Sequence, residues 1–276
     1  MDLTVHADTF SAPEGMIALE YFPVANYVLN MNGFDTIRRL TLSNTGANAW
    51  TDTKVTLSGD LLLQSSATFD TIGAGDSVDL SDRIRVTLDH ARLMQLTESD
   101  GIFFTITVEI GNVEAFSRKY ALMLTAYDHW MGTRIRPELT AAFVTPNHPL
   151  VARIAASASQ KLAAATGDGS LNAYHSGDPN RVRMQVAAIF ESIRDENISY
   201  VTAPASFEAA GQRIRTADKV LSDKMATCID LSLLMASVLE AAGIRPIIIF
   251  TSGHCFAGAW LVTPISKAWA TTPVSF

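Results

Sequence analysis

The chain has 276 residues, of which 48% are hydrophobic and 18% charged, a composition that excludes a disordered chain and is long enough for two domains. Its 28 acidic and 21 basic residues give a net charge of -7, which argues against a nucleic-acid-binding surface. The basic clusters Arg181/Arg183 and Arg213/Arg215 are small, and we expect them to lie on solvated helix or loop faces.

The N-terminus and the cysteines bear on the cellular location. Asp2 and Asp8 stand where a signal peptide would carry lysine or arginine, and no apolar run approaches the roughly 20 residues of a membrane span. Cys228 and Cys255 are too few for a disulfide scaffold, so free thiols are expected. The sequence therefore predicts a cytoplasmic protein in a reducing environment, without membrane contact.

Up to about residue 126 the hydrophobic pattern has a period of two, which is typical of half-buried antiparallel strands. It is clearest at Lys54–Leu57, Arg83–Leu88 and Phe104–Ile110. Turn-forming residues separate these segments at 44–48, 73–76 and 109–112. We predict an immunoglobulin-like β-sandwich over residues 1–126, without the cysteine–tryptophan–cysteine pin of antibody domains.

The second half of the chain has a helical pattern. We predict a linker at residues 127–145, where Trp130, Gly132 and Pro137 interrupt both periods, and a helical and sheet domain over 146–276. Its first helix is predicted from apolar residues four positions apart, between an N-cap at Asn147 and a stop at Gly167. Those apolar residues are Leu150, Ile154, Ala158 and Leu162.

A second helix is predicted to begin at Asp178 as N-cap, with Pro179 in the first helical position. Its apolar stripe consists of Val182, Val186, Ile189, Phe190 and Ile193. A short strand is predicted next, over Ile198–Val201.

The segment from Cys228 to about Ala242 is predicted to form a helix that is apolar nearly all round. Such a helix belongs in the middle of a domain. The free N–H groups and the partial positive charge at its start favour a thiolate, the nucleophilic form of cysteine. Cys228 is therefore a candidate nucleophile.

His254 is the candidate base for this thiol. Gly243 is predicted to end the helix, Pro246–Phe250 to form a buried strand, and a tight turn to lead into a return strand over His254–Leu261. A return strand of that length can carry His254 back over the helix start, where its imidazole accepts the thiol proton. By strand alternation Cys255 faces the other way, as a packed core thiol.

Residues from about 215 to 262 resemble the core of the transglutaminase-like superfamily, which has a papain-like α/β fold. In that family a Gly-Thr-Cys-x-Asp helix start precedes a Gly-Ile-Pro strand and a His-Ala-Trp strand. The matching residues are Thr227, Cys228, Asp230, Gly243, Ile244, Pro246 and His254, with Ala226 in place of the usual glycine and Arg245 inserted. The resemblance implies that Cys228 attacks a glutamine or other amide carbonyl, that His254 moves the proton, and that water or an amine releases the thioester.

The chain departs from this pattern at the acid that orients the histidine. After Glu240 the sequence contains no Asp, Glu or Asn, and Asp230 points about 200° away from Cys228 on the helix. Gln212 is a candidate oxyanion donor, as a glutamine is in some thiol proteases. A zinc site at Cys228, His254 and Cys255 would need a fourth ligand and a shared face, so we predict no metal and no cofactor. The tail Val262–Trp269 is expected to end before a core sheet closes.

A narrower resemblance concerns the rest of the chain. Ser176–Arg183, Pro204–Glu208 and Gly211–Arg215 resemble the N-terminal region of large bacterial multidomain proteins that continue into a helicase and an endonuclease-like segment. Two hypotheses follow. The first is a thiol enzyme that acts on a protein or peptide. The second is a non-catalytic module of a larger nucleic-acid-processing protein, which binds a protein partner and does not itself bind nucleic acid.

Overall fold

The structure is a computed structural model that describes residues 3–60 and 62–263. The chain is a mixed α+β protein that divides into two compact units, Met1–His129 and Trp130–Phe276. Among the described residues, no helix has both the length and the apolar character needed to cross a membrane. The expected incompleteness of the core sheet concerns residues beyond 263, which lie outside the described part.

The first unit is built mainly of strands. They are β1 (Thr4–Ser11), β2 (Glu14–Tyr21), β3 (Val24–Ala25), β4 (Ile37–Asn44), β5 (Trp50–Gly59), β6 (Leu62–Leu63), β7 (Ser65–Ile72), β8 (Ser77–Asp79), β9 (Thr87–Leu88), β10 (Asp100–Ile110) and β11 (Val113–Leu124). Two short helices accompany them, α1 (Tyr27–Met31) and α2 (His90–Leu93).

Two sheets make up this unit, with strand orders β1-β2-β4-β8 and β3-β11-β10-β5-β7, and a short pair joins β6 to β9. The pairing is antiparallel except between β11 and β3. Alternate residues of both sheets enter one apolar core, for example Leu40 and Leu42 from β4 and Phe104 and Ile106 from β10. The period of two in the sequence arises from this arrangement.

One predicted strand of the first unit is wrong. The alternating segment Arg83–Leu88 pairs only at Thr87–Leu88, and its first half lies in a turn that starts at Leu80. Ile84 and Val86 are nevertheless buried. Alternate burial can therefore arise from a turn that lies against a core, without a strand ladder.

The second unit contains six strands and five α-helices among the described residues. The strands are β12 (His129–Trp130), β13 (Ser199–Tyr200), β14 (Gln212–Arg213), β15 (Met225–Ala226), β16 (Pro246–Thr251) and β17 (His254–Ala259). The helices are α3 (Pro149–Thr166), α4 (Pro179–Arg194), α5 (Phe207–Ala210), α6 (Ala217–Asp223) and α7 (Cys228–Ala241). A 3₁₀ helix covers Pro137–Phe143, inside the segment predicted as a linker.

Helices α3 and α4 begin and end close to the predicted positions. Gly167 adopts the left-handed conformation that ends α3, and the Asp178 side chain caps α4 ahead of Pro179. The predicted N-cap of α3 at Asn147 is wrong, because the cap is His148, whose Nδ1 accepts the Leu150 N–H at 3.3 Å.

Two predictions about side chains of α4 are also wrong. Phe190 is not part of the core stripe, since 58% of it is exposed. Arg181 is not solvated, because its guanidinium is buried and hydrogen-bonds to Thr166 and to the segment at Asp168–Ser170. An arginine used to hold a chain reversal is indistinguishable in sequence from one on a helix surface.

Helix α7 occupies the centre of the second unit, as its all-round apolar sequence predicts. It contacts α3, α4 and α6 as well as the hairpin of β16 and β17. Residues buried on its different faces include Ile229, Leu234, Ala236 and Val238. Gly243, with φ 75°, follows the helix and lets the chain turn into β16.

The short strands β12 and β14 form a two-stranded sheet that requires glycine. Gly211 has φ 83°, and a Cβ at this position would collide with the backbone carbonyl oxygen of Trp130. Trp130 itself is buried and stacks on Phe250 with ring centroids 5.1 Å apart. This residue, predicted to lie in a linker, therefore belongs to the core of the second unit.

Candidate active site

The start of α7 is held by a capping box around Cys228. Thr227 is the N-cap, and its backbone N–H donates to Asp230 Oδ2 at 2.9 Å while its Oγ1 accepts the Asp230 N–H. These bonds satisfy two of the N–H groups that a helix start leaves without intrahelical partners. Cys228 follows as the first helical residue, and only 3% of it is exposed.

Asp230 is fully engaged in holding this start. Its carboxylate accepts the Arg215 backbone N–H at 2.9 Å and lies 3.2 Å from Arg215 Nη1. It also accepts from the Thr227 hydroxyl at 2.9 Å. The acid two residues after the nucleophile thus anchors the chain at Arg215 to the start of α7.

Gln212 belongs to the same network. Its Nε2 donates to Thr227 Oγ1 at 2.9 Å, and the residue is buried. Gln212 is not one of the described residues that line the cavity around Cys228. The structure therefore places the predicted oxyanion donor against the helix cap, with its amide N–H directed at a threonine.

His254 is positioned by the antiparallel hairpin of β16 and β17. Thr251 pairs with His254 across a two-residue turn in which Gly253 has φ 70°. The imidazole is exposed and stacks on the ring of Phe256, two residues further along the strand, with centroids 6.4 Å apart. Cys255, between them, is buried against α7, as alternation predicts.

Cys228 and His254 line the same cavity, which has a volume of about 660 Å³. Residues of α4, β13, α7 and β17 contribute to its walls. The lining residues are Phe190, Ile193, Arg194, Asn197, Ile198, Tyr200, Cys228, Leu231, Ser232, Met235, His254, Cys255, Phe256 and Ala257. The two candidate catalytic residues, 26 positions apart in sequence, thus line one cavity.

Tyr200 is a site residue that the sequence reasoning missed. The parallel pairing of β13 with β15 places it opposite Ala226, two residues before Cys228, and Val201 N donates to Ala226 O at 2.8 Å. Its hydroxyl lies near the Cys228 thiol, and both residues line the same cavity. Loss of hydration, followed by the influence of the nearby Cys228 sulfur, raises the pKa of Tyr200.

The second thiol that lines the cavity is that of Cys255. Burial raises the pKa of Cys255 to about 11, against a smaller lowering effect of the nearby Ser232 hydroxyl and with a small further rise from nearby Cys228. Cys255 is therefore protonated at neutral pH and is a poor nucleophile. Ser232 in turn donates to the Cys228 backbone carbonyl at 2.7 Å, which is an ordinary helix contact.

Neither a third catalytic residue nor a metal site is found in the part of the chain that the structure describes. Over residues 3–60 and 62–263, the His254 imidazole has no hydrogen bond to an acid or amide and no ion pair. The same residues contain no group of three or more His, Cys, Asp or Glu side chains that could hold a metal ion.

Comparison with known proteins adds no relative. No protein-family model matches the chain, and no curated protein matches it significantly. The geometry of the cavity around Cys228 therefore carries the functional argument.

Proposed function

We propose that the chain is a transglutaminase-like thiol enzyme that transfers or hydrolyses an amide acyl group, with Cys228 as nucleophile and His254 as base. The observation that carries the proposal is the single cavity lined by both residues, with Cys228 at the start of the central helix. A thiol at a helix start that shares a cavity with an imidazole is a suitable starting arrangement for a nucleophilic cysteine and its base.

The reaction has two steps. The Cys228 proton passes to His254, and the sulfur attacks the amide carbonyl carbon. When the C–N bond breaks, the leaving amine takes the proton from His254, and a thioester remains on Cys228. Water or a second amine then gives a proton to His254 and attacks the thioester. When the C–S bond breaks, His254 returns that proton to the sulfur, which restores the thiol and the neutral imidazole.

Tyr200 contributes a hydrogen bond to the sulfur in this proposal. A hydroxyl that donates to a thiolate stabilises the negative charge and holds the sulfur toward the cavity. The raised pKa of Tyr200 keeps this donor protonated at the pH at which the thiolate reacts. The hydroxyl near the Cys255 thiol is that of Ser232, which donates to the Cys228 backbone carbonyl.

The finer fold assignment belongs to the same proposal. We take the first unit to be an immunoglobulin-like sandwich, because its two sheets share one core. We take the second to be a transglutaminase-like core, because a helix that starts with cysteine packs on an antiparallel hairpin that carries histidine. The substrate is a protein or peptide, and the two free thiols suit a reducing cytoplasm.

One observation favours a second candidate function. The described residues supply no acid to orient His254, and loss of the orienting group costs about 10⁴-fold in a comparable triad. On that ground the second unit would be a non-catalytic module that binds a protein partner, in a larger nucleic-acid-processing protein.

Alkylation by iodoacetamide separates the two functions. In the native protein at pH 7.5, we expect Cys228 to be labelled at least about tenfold faster than Cys255, because only a thiolate reacts and the pKa of Cys255 is raised to about 11. Peptide mass spectrometry assigns the label, and Cys228→Ser removes the fast phase.

The labelling rate of Cys228 should also depend on His254 and Tyr200, which line the same cavity. His254→Ala and Tyr200→Phe should each slow the fast phase, whereas His175→Ala, which removes another exposed histidine of the same unit, should leave it unchanged. Equal and slow labelling of both cysteines in the folded wild type would rule out the enzyme and favour the binding module.

A further inference from the structure

Three aromatic side chains stand exposed around the cavity that holds Cys228. Phe190 is 58%, Tyr200 56% and Phe256 43% exposed, and all three line this cavity. They come from three different elements, α4, β13 and β17. Single exposed apolar residues need no explanation, but a cluster around a concave site marks a surface that binds something.

The position of Phe190 is not required by packing. Helix α4 buries Val182, Ile189 and Ile193 against the core, and Phe190 lies outside this set. A phenylalanine left in water forgoes the free energy that burial of its ring would contribute. A ligand that covers Phe190 would recover this free energy.

Further apolar side chains line the cavity beside the polar residues Arg194, Asn197, Ser232 and His254. Ile198, Leu231, Met235 and Ala257 contribute hydrophobic side chains, and methionine adapts its shape to irregular ligands. None of the described lining residues is acidic, and the guanidinium of Arg194 forms an ion pair with Glu191 on its own helix. The cavity therefore offers hydrophobic surface, and its one strong cation is already compensated.

We infer that this cavity selects acyl donors with a bulky apolar side chain, aromatic or branched aliphatic, beside the carbonyl that Cys228 attacks. This inference rests on the proposed nucleophilic role of Cys228. Its cavity of about 660 Å³ lies within the roughly 300–1,000 Å³ range of small-molecule sites, so it accommodates one such side chain with adjoining backbone.

The test uses two irreversible probes with the same reactive group, N-acetyl-phenylalanyl and N-acetyl-aspartyl chloromethyl ketone. In both, the Cys228 sulfur forms a bond to the methylene carbon and chloride leaves, so a difference in rate reports the side chain alone. In the full-length protein, we expect the second-order rate for the phenylalanyl probe to exceed that for the aspartyl probe by about tenfold or more.

A matched pair of variants locates the preference. Phe190→Ser should reduce it by about threefold or more. Phe103→Ser should not change it, because Phe103 is equally exposed at 57% but belongs to the first unit. Phe256→Ser provides a second cavity variant if Phe190→Ser does not fold, as judged by circular dichroism.

Iodoacetamide labelling is measured alongside the probes, because it tests the nucleophilic role of Cys228 independently of the selectivity of the cavity. Fast labelling of Cys228 without a preference for the phenylalanyl probe, or a preference that survives in the folded cavity variants, would overturn this inference and leave the nucleophile intact. Slow labelling of Cys228 by all three reagents would overturn both the inference and the proposed function.

Discussion

The carboxylate of Asp230 is the group whose removal should damage the candidate site most. Asp230→Ala deletes the side chain that accepts the backbone N–H groups of Thr227 and Arg215, each at 2.9 Å, and the Thr227 hydroxyl. The alanine adds no bulk and keeps good helix propensity. The loss therefore reports the hydrogen bonds and the ion pair to Arg215, rather than packing.

The expected magnitude follows from these contacts. Loss of an N-cap interaction costs typically about 1 kcal/mol, and each buried donor left without a partner costs about 1–3 kcal/mol. Because these terms overlap, we expect a total of about 3–5 kcal/mol, which is also the range for breaking one side of a buried ion pair. Asp230→Asn retains one acceptor oxygen and should lose less.

Urea denaturation followed by circular dichroism at 222 nm suits this measurement, because the signal at this wavelength comes mainly from helices. Among the described residues, all α-helices of more than five residues lie in the second unit, namely α3, α4, α6 and α7. With an m-value of about 1–3 kcal/mol/M, the midpoint should fall by roughly 1–5 M. The control is Asp195→Ala, whose exposed carboxylate pairs with Lys161, and its midpoint should stay close to that of the wild type.

An Asp230→Ala midpoint equal to that of the wild type would refute the assignment of Asp230 as the anchor of the α7 start. A second result would also count against it. If the folded variant lost thiol reactivity without any loss of stability, Asp230 would act in the chemistry of Cys228 rather than in the support of the helix.

Two further predictions concern the scaffold. Gly211→Ala should cost several kcal/mol and unfold the second unit at a lower urea concentration, because the added Cβ collides with the Trp130 carbonyl oxygen. The control Gly167→Ala is also at positive φ but has open space around it, so it should cost only about 1 kcal/mol. Partial burial acts to raise the pKa of Glu196, but hydrogen bonds from Lys224 and Arg153 outweigh it and hold that pKa below its usual value. A carboxyl with a depressed folded-state pKa stabilises the fold above its unfolded pKa of about 4.3 and loses this contribution as the pH falls through the folded value. Glu196→Gln should therefore be about 1 kcal/mol less stable than the wild type at pH 7. Urea titrations should show that this difference in the free energy of unfolding disappears below about pH 4. A difference that does not depend on pH would contradict this reasoning.

The elements with strong periodicity could be predicted from the sequence. Helix α7 begins at Cys228 as predicted and is followed by the hairpin that carries His254, because an all-round apolar segment, a glycine stop and a β-rich run are local signals. The caps at Gly167 and Asp178 were predictable for the same reason. Each depends on residues within a few positions of one another.

Other features depend on partners distant in sequence. The local pattern places Trp130 in a linker, yet it stacks on Phe250, 120 positions away. Arg83–Val86 alternates like a strand but has no ladder partner among the described strands, so it forms a turn. A local sequence pattern predicts whether a side chain is buried more readily than it predicts which strand the backbone pairs with.

The sequence by itself determined that a cysteine begins a buried helix and that a histidine follows on a return strand. Only the tertiary structure decided what surrounds them. The parallel pairing of β13 with β15 sets Tyr200 beside Cys228, and the rotation of α4 turns Phe190 toward the cavity. The physical reason is that helix and strand periodicities are properties of neighbouring residues, whereas strand register and helix rotation are set by the packing of distant segments.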